Sequence, residues 1–181
     1  MRIALLDDYQ HVALNMADWT VLDEEIVAFS DHLDDESELA ARLAGFDAVV
    51  AMRERTPFRE TLLRQLPDLK LLVTTGMRNA SIDVDAAIRH GVVVCGTHGE
   101  PHPTAELTCG LILALLRHIP REDAATRAGA WQTSLGSGLA GKTLGLMGLG
   151  RLGSRVAAVG LAFGMRVTAW SQNLDDTRAA E

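Results

Sequence analysis

One stretch constrains the fold more than any other: a glycine-rich turn set between an apolar strand and an amphipathic helix. Thr143 to Met147 reads as a buried strand, Gly148 to Gly153 spells GLGRLG, and a helical pattern follows. On that helix Leu152, Val156, Val159 and Phe163 share the face of a 3.6-residue period. Gly164 suits the helix end, and Arg166 to Trp170 reads as the next strand. The order strand, G-x-G-x-x-G, helix, strand is a βαβ unit of the kind that cradles a dinucleotide. Each glycine has a task there. Gly148 allows the tight turn, Gly150 leaves room for a pyrophosphate, and Gly153 lets helix and strand pack closely. The amides of Arg151 and Leu152 then offer an anion the positive end of a helix.

An acid that would bind the adenosine ribose is expected roughly 20 residues further on. The strand ends instead at Ser171, followed by Gln172 and Asn173, with Asp175, Asp176 and Arg178 beyond. A serine does not repel a 2′-phosphate, so both NAD and NADP stay open as cofactor.

The rest of the chain repeats the same alternation. Strand candidates are Arg2 to Leu6, Glu25 to Phe29, Ala48 to Met52, Lys70 to Thr74 and Val92 to Cys95. Helix candidates between them are Glu36 to Ala44, Arg59 to Leu66 and Asp83 to His90, the last closed by Gly91. Continuous apolar strands alternating with helices predict a parallel sheet covered on both faces. From Pro101 the texture changes. Pro103 suits a first helical turn, and Leu107, Leu111 and Leu115 recur at four-residue spacing. That helix is expected to end at Leu116 or Ile119, with Pro120 either interrupting it or opening a second helix through Ala130. The domain boundary is placed near residues 97 to 103. The fold class is α/β, a flavodoxin-like parallel-sheet domain over residues 1–100. The first half of a Rossmann doubly wound domain, with its linking helix, follows over 101–181.

Composition removes whole classes of partner. A formal charge of -7 disfavours nucleic acid, whose phosphates call for a basic patch. No apolar run reaches the ~18 residues of a membrane span, and MRIALLDDYQ is not a signal peptide. Cys95 and Cys109 are read as buried free thiols, which suits a reducing cytoplasm. No metal-ligand spacing and no reactive-cysteine arrangement is present.

Four stretches, in order along the chain, resemble the D-isomer-specific 2-hydroxyacid dehydrogenase family. They are MRERTPF (Met52 to Phe58), LLVTTGMRNASIDVDAA (Leu71 to Ala87), TAELTCGLILALLR (Thr104 to Arg117) and GKTLGLMGLGRLG (Gly141 to Gly153). Trp131 and the Gly138–Leu139 pair precede the last of them. The resemblance implies hydride transfer between a nicotinamide and a small anionic 2-hydroxy or 2-oxo acid. It implies that the amides of Met77 and Arg78 hold the substrate carboxylate, that Arg53 stands at the mouth of the cleft, and that Thr104 lies near the cofactor. Arg78, Ala80 and Ser81 depart from the family's commoner loop. Arg55 is expected to be a surface charge, and His98 and His102 to be hinge residues.

In the family an arginine, a glutamate and a histidine carry out the reaction, and all three are expected beyond Glu181, so no catalytic residue is assigned here. The chain is accordingly expected to be an inactive fragment of a longer parent. A nicotinamide-binding regulator without turnover and an inert fragment are the alternatives. The resemblance also implies a homodimer formed through the linking helix and the Trp131 arm.

Overall fold

In a computed structural model, residues 1–172 and 174 are described. The chain divides into two compact units, Met1–Gly99 and Glu100–Glu181.

The first unit carries five parallel strands: β1 (Arg2–Leu5), β2 (Glu25–Ala28), β3 (Ala48–Ala51), β4 (Leu71–Thr74) and β5 (Val93–Gly96). Their spatial order is β2-β1-β3-β4-β5, the flavodoxin-like order. The connections run through α1 (Glu36–Leu43), α2 (Glu60–Leu63) and α3 (Val84–Arg89). Asp35 caps α1 by accepting the amides of Ser37 and Glu38, and Asp83 caps α3 through the amide of Ala86. One side of the sheet packs Leu39, Leu43, Phe58, Leu62 and Leu63 against Val49 and Leu72. Ile3, Leu5 and Ala48 anchor a smaller cluster with Trp19 and Ile26. Uninterrupted apolar strands are what a sheet covered on both faces requires.

Local departures from expectation have local causes. The expected helix Arg59 to Leu66 is regular only over α2. Its last turn tightens into i→i−3 bonds, Gln65 to Leu62 and Leu66 to Leu63. Residues between β1 and β2 form two short 3-10 turns, Ala13–Asn15 and Trp19–Leu22, which no hydrophobic period had marked. Cys95 is exposed rather than buried, because β5 is the edge strand of the sheet; Cys109 is half-buried, and both thiols are free.

The second unit opens with α4 (His102–Leu116), and Pro120 begins a separate helix, α5 (Ile119–Arg127). His118, at φ 54°, makes the break between them. Then come β6 (Thr143–Met147), α6 (Arg151–Ala162) and β7 (Arg166–Trp170), with β6 and β7 parallel. On α6 the deeply buried residues are Val156, Ala157 and Gly160, while Leu152, Val159 and Phe163 stay about two-fifths exposed. The helix sits close over β6 at Gly160, where a Cβ would stand 2.6 Å from Leu144 Cδ2. Val156, Val159 and Phe163 border the same space beside Leu144, with Leu139 and Met165. Leu107, Leu111 and Leu115 of α4 point outward, each more than 60% exposed. Among the described residues no helix is long and apolar enough to cross a membrane.

Candidate functional site

In open α/β sheets the strands' carboxyl ends form the ligand-facing edge. In the first unit, Arg53 follows β3 and residues 75–79 follow β4. Arg53 adopts φ 56°, a strained conformation for a side chain with a Cβ. Three contacts hold it there. Its amide donates to Thr75 Oγ1 at 3.0 Å, its Nη1 donates to the Thr75 carbonyl at 3.2 Å, and its own carbonyl accepts Asn79 Nδ2. The guanidinium lies over Gly76, where a Cβ would stand 2.2 Å from Nη1.

The loop beneath it turns at Gly76, φ 123°. The Gly76 amide is taken by Thr97 Oγ1 at 3.0 Å. The next two amides, of Met77 and Arg78, have no acceptor among the described residues, and both residues are exposed. Adjacent free amides beside a guanidinium make a concavity suited to a carboxylate. Thr74, Met77, Arg78, Asn79 and Gly96, with the apolar Ile82, Val84 and Val94, line a cleft beside this loop, and Arg53 is not among its walls. Arg53, from a distant stretch, thus reaches the β4 loop at Thr75, Gly76 and Asn79, the loop that carries Met77.

Sequence reasoning missed Asn79, which ties this site together. Its amide nitrogen reaches both the Arg53 carbonyl and Thr74 Oγ1, the latter at 2.9 Å, while its oxygen accepts the Ser81 amide at 2.9 Å. It also missed Asp7, immediately beyond β1. Only 2% exposed and at φ 58°, Asp7 accepts the Thr56 hydroxyl at 2.7 Å and His32 Nδ1–H at 2.8 Å. Its carbonyl accepts Arg55 Nη1 at 2.6 Å, and that guanidinium stacks 4.3 Å over the Tyr9 ring. Arg55 is therefore a half-buried tie between β1 and β3, not a surface charge; the carbonyl and the ring compensate its lost hydration. The neighbouring Asp8 carboxyl is held below the usual carboxylate range by the amides of Ala13 and Val12. The only available signal for this cluster was position, since Asp7 and Thr56 follow strand patterns at their carboxyl ends.

In the second unit the glycine turn joins β6 to α6. Gly148, at φ 105°, donates its amide to the Trp170 carbonyl at 2.7 Å, continuing the β6–β7 ladder. A Cβ on Gly153 would fall 2.1 Å from the Gly148 carbonyl oxygen, so the helix start and the turn pack without room for a side chain. Gly150 caps α6 in an extended conformation, and no side chain accepts the first-turn amides. The amides of Arg151 and Leu152 thus lack intrahelical partners, as helix geometry dictates. Above Gly150 nothing approaches within 4 Å of a notional Cβ. Open space over uncapped amides fits a diphosphate. Ser171, half-buried, follows β7 directly, and its carbonyl accepts the Leu174 amide at 3.1 Å. Asn173, Asp175, Asp176 and Arg178 lie outside the described residues. Thr104 sits exposed in the first turn of α4, and its carbonyl accepts Thr108 Oγ1 at 2.8 Å. In the same turn His102 Nδ1 meets Arg155 Nη1 of α6 at 2.8 Å, tying the two helices. Nothing among the described residues groups three potential metal ligands.

The model of the D-isomer specific 2-hydroxyacid dehydrogenase NAD-binding domain matches residues 109–181. The chain is 39% identical to D-3-phosphoglycerate dehydrogenase of Bacillus subtilis over 137 residues, 74% of this chain and 26% of that protein. It is 36% identical to hydroxypyruvate reductase of Thermotoga maritima over 157 residues, 85% of this chain and 51% of that protein. The chain belongs to the D-isomer-specific 2-hydroxyacid dehydrogenase family. The crystal structure of a phosphoglycerate oxidoreductase from Vibrio cholerae superposes with a TM-score of 0.91 at 42% identity. That match covers 99% of this chain and 59% of the other. The chain therefore spans from about a quarter to somewhat over half of the relatives it matches. Membership gives NAD or NADP as the cofactor, and the matched NAD-binding domain contains the glycine turn.

Proposed function

We propose that this chain supplies the acid-binding domain and the pyrophosphate-binding turn of an oxidoreductase that moves a hydride between a nicotinamide and a small 2-hydroxy or 2-oxo acid. The observation that carries the reading is the pair of amides at Met77 and Arg78, which have no acceptor among the described residues and directly follow Gly76, over which the Arg53 guanidinium lies. They fit a carboxylate, as the uncapped turn at Gly150 fits a diphosphate. Relatives named for phosphoglycerate, hydroxypyruvate and glyoxylate support the substrate class.

The residues present bind and orient. Met77 and Arg78 hold the carboxylate through two N–H donors, and Arg53 adds a cation at its edge. Gly148, Gly150 and Gly153 let the backbone approach the pyrophosphate, Arg151 and Leu152 donate to it, and Ser171 faces the adenosine ribose without repelling a 2′-phosphate. Thr104 stands beside the cofactor. A bound nicotinamide supplies or accepts the hydride; fixing the two partners is the protein's contribution to the barrier. No proton-transfer residue is assigned among these 181 residues, whose part in the reading is binding and orientation. The protein is placed in the cytoplasm, where the free thiols Cys95 and Cys109 stay reduced. It pairs as a homodimer through the outward leucines of α4 and the Trp131 arm, Trp131 being 77% exposed. A regulator that reads cofactor without chemistry has no observation favouring it.

Calorimetric titration with NADH and NADPH, with hydroxypyruvate and glyoxylate turnover assayed alongside, tests the reading. Saturable binding without turnover is expected, and Gly150→Ala, which intrudes only into open space, should abolish binding while leaving the fold intact. Steady turnover would place proton-transfer chemistry inside these 181 residues and overturn the assignment. Absence of any cofactor binding would remove the oxidoreductase reading for this chain.

A further inference from the structure

The acid-binding loop is shaped by a residue outside it. We infer that Thr97, supported by Gly96, is a positioning residue that turns the Met77 and Arg78 amides outward; the inference rests on the acid-site reading above. Three observations carry it. The Thr97 hydroxyl accepts the buried Gly76 amide at 3.0 Å, and the Thr97 amide donates to the Thr74 carbonyl at 3.1 Å. Thr97 therefore grips the loop on both sides of the peptide that enters the turn. Gly76 is held at φ 123°, a conformation nearly reserved for glycine, so the direction of the following peptides is set at this point. Gly96 lies so close that a Cβ would stand 2.7 Å from the Gly76 carbonyl oxygen and 2.9 Å from Met77 Cα.

The accounting of donors explains the consequence. Three successive amides, of Gly76, Met77 and Arg78, leave β4 without a partner in the sheet. Thr97 consumes the first and leaves the other two without an acceptor among the described residues. Without the hydroxyl, the buried Gly76 amide would have to find another acceptor, and the turn would rotate to supply one. The position alone does not demand this side chain, because Thr97 is exposed and packs no core. The hydroxyl's value lies in aiming its neighbours.

The test uses the ¹⁵N-labelled 181-residue chain, Thr97→Val and Thr97→Ser, with Gly96→Ala as a second route to the same displacement. In the free proteins, amide exchange reports the Gly76 bond. Protection at Gly76 should fall about fivefold or more in Thr97→Val and survive in Thr97→Ser. Glyoxylate titration then reports the aim of the loop. Saturable shifts at Met77 and Arg78 should weaken by about fivefold or more in Thr97→Val and Gly96→Ala, with recovery in Thr97→Ser. Unchanged Gly76 protection in Thr97→Val, or unchanged glyoxylate affinity in both displaced variants, would overturn the positioning role. Should the wild-type chain take no glyoxylate, the acid-site reading fails, and with it the role of Thr97 in binding, while exchange still decides whether Thr97 holds Gly76. A global loss of stability with unchanged affinity would mark Thr97 as structural only and equally sink the inference.

Discussion

The two units solve the same packing problem to different degrees. In Met1–Gly99, the central strands β3 and β4 lie under helices and loops, and Val49 and Leu72 are fully buried. In the second unit, β6 and β7 both alternate between exposed and half-buried residues, and Met147 and Trp170 are 92% and 66% exposed. One helix, α6, covers one face. Strands of similar composition therefore differ in burial because burial belongs to the layers around a strand, not to the strand. The first unit has the core to hold a strained loop such as Arg53 in place. The second presents its glycine turn on a thinner support.

The largest test of this contrast compares matched truncations. Leu72→Ala in β4 should cost about 2–5 kcal/mol in denaturant unfolding, since a fully buried leucine leaves a cavity behind. Met147→Ala in β6 should stay within about 0.5 kcal/mol, as its side chain is solvent-exposed. A comparable loss at Met147 would mean that another surface covers β6 in solution and that the contrast between the units is false.

Next in size is the glycine turn. Gly153→Ala forces a Cβ against the Gly148 carbonyl and should cost roughly 1–3 kcal/mol, as overpacking does, with the loss confined to the second unit. Hydrogen exchange at β6 and α6, measured against β3 and β4, checks both size and confinement. Gly138→Ala is the control, because nothing approaches its notional Cβ within 4 Å. If Gly153→Ala also loosened β3 and β4, the two units would unfold as one.

How far the sequence carried this picture depends on the range of the interactions involved. All seven strands among the described residues were legible, with boundaries within a residue or so, because apolar runs bounded by breakers are local signals. The glycine turn was legible for the same reason: Gly148 turns at φ 105° and Gly153 packs against the Gly148 carbonyl, both within the motif itself. The α6 stripe was legible in part: Val156 is buried, and Val159 and Phe163 border the same space beside Leu144, but Gly160, which makes the closest approach to β6, carries no hydrophobic signal. Arg53 and Met77 became visible only through resemblance, since the loops that carry them follow separate strands. Asn79, Asp7 and Thr97 escaped altogether. Their roles consist of hydrogen bonds to residues as many as 49 positions away, as between Asp7 and Thr56, and no spacing rule encodes these. Cys95 was misjudged because an apolar strand at a sheet edge reads just like one at the centre.

The smallest expected effect tests how the second unit compensates for its thin core. Its arm, Trp131 to Gly136, is fastened by polar contacts. Glu122 of α5 accepts the Ser134 hydroxyl at 2.6 Å and, from Thr133, both the hydroxyl at 2.8 Å and the amide at 3.0 Å. His118 Nδ1 meets the same Ser134 oxygen at 2.9 Å. The Ser134 hydroxyl, followed by the Thr133 hydroxyl and amide, lowers the Glu122 carboxyl to about 2 from its ordinary 4.5. A depressed folded-state value means the carboxylate stabilises the arm fully above pH 4.5, and that this contribution is lost as pH falls toward 2. Trp131 fluorescence and the Thr133 amide shift should therefore report release of the arm between about pH 4.5 and 2, while β3 and β4 amides hold through the upper part of that range. Glu122→Gln should flatten the transition, because the amide oxygen still accepts but no longer titrates. An arm that releases on the same curve in Glu122→Gln would assign the fastening to other groups.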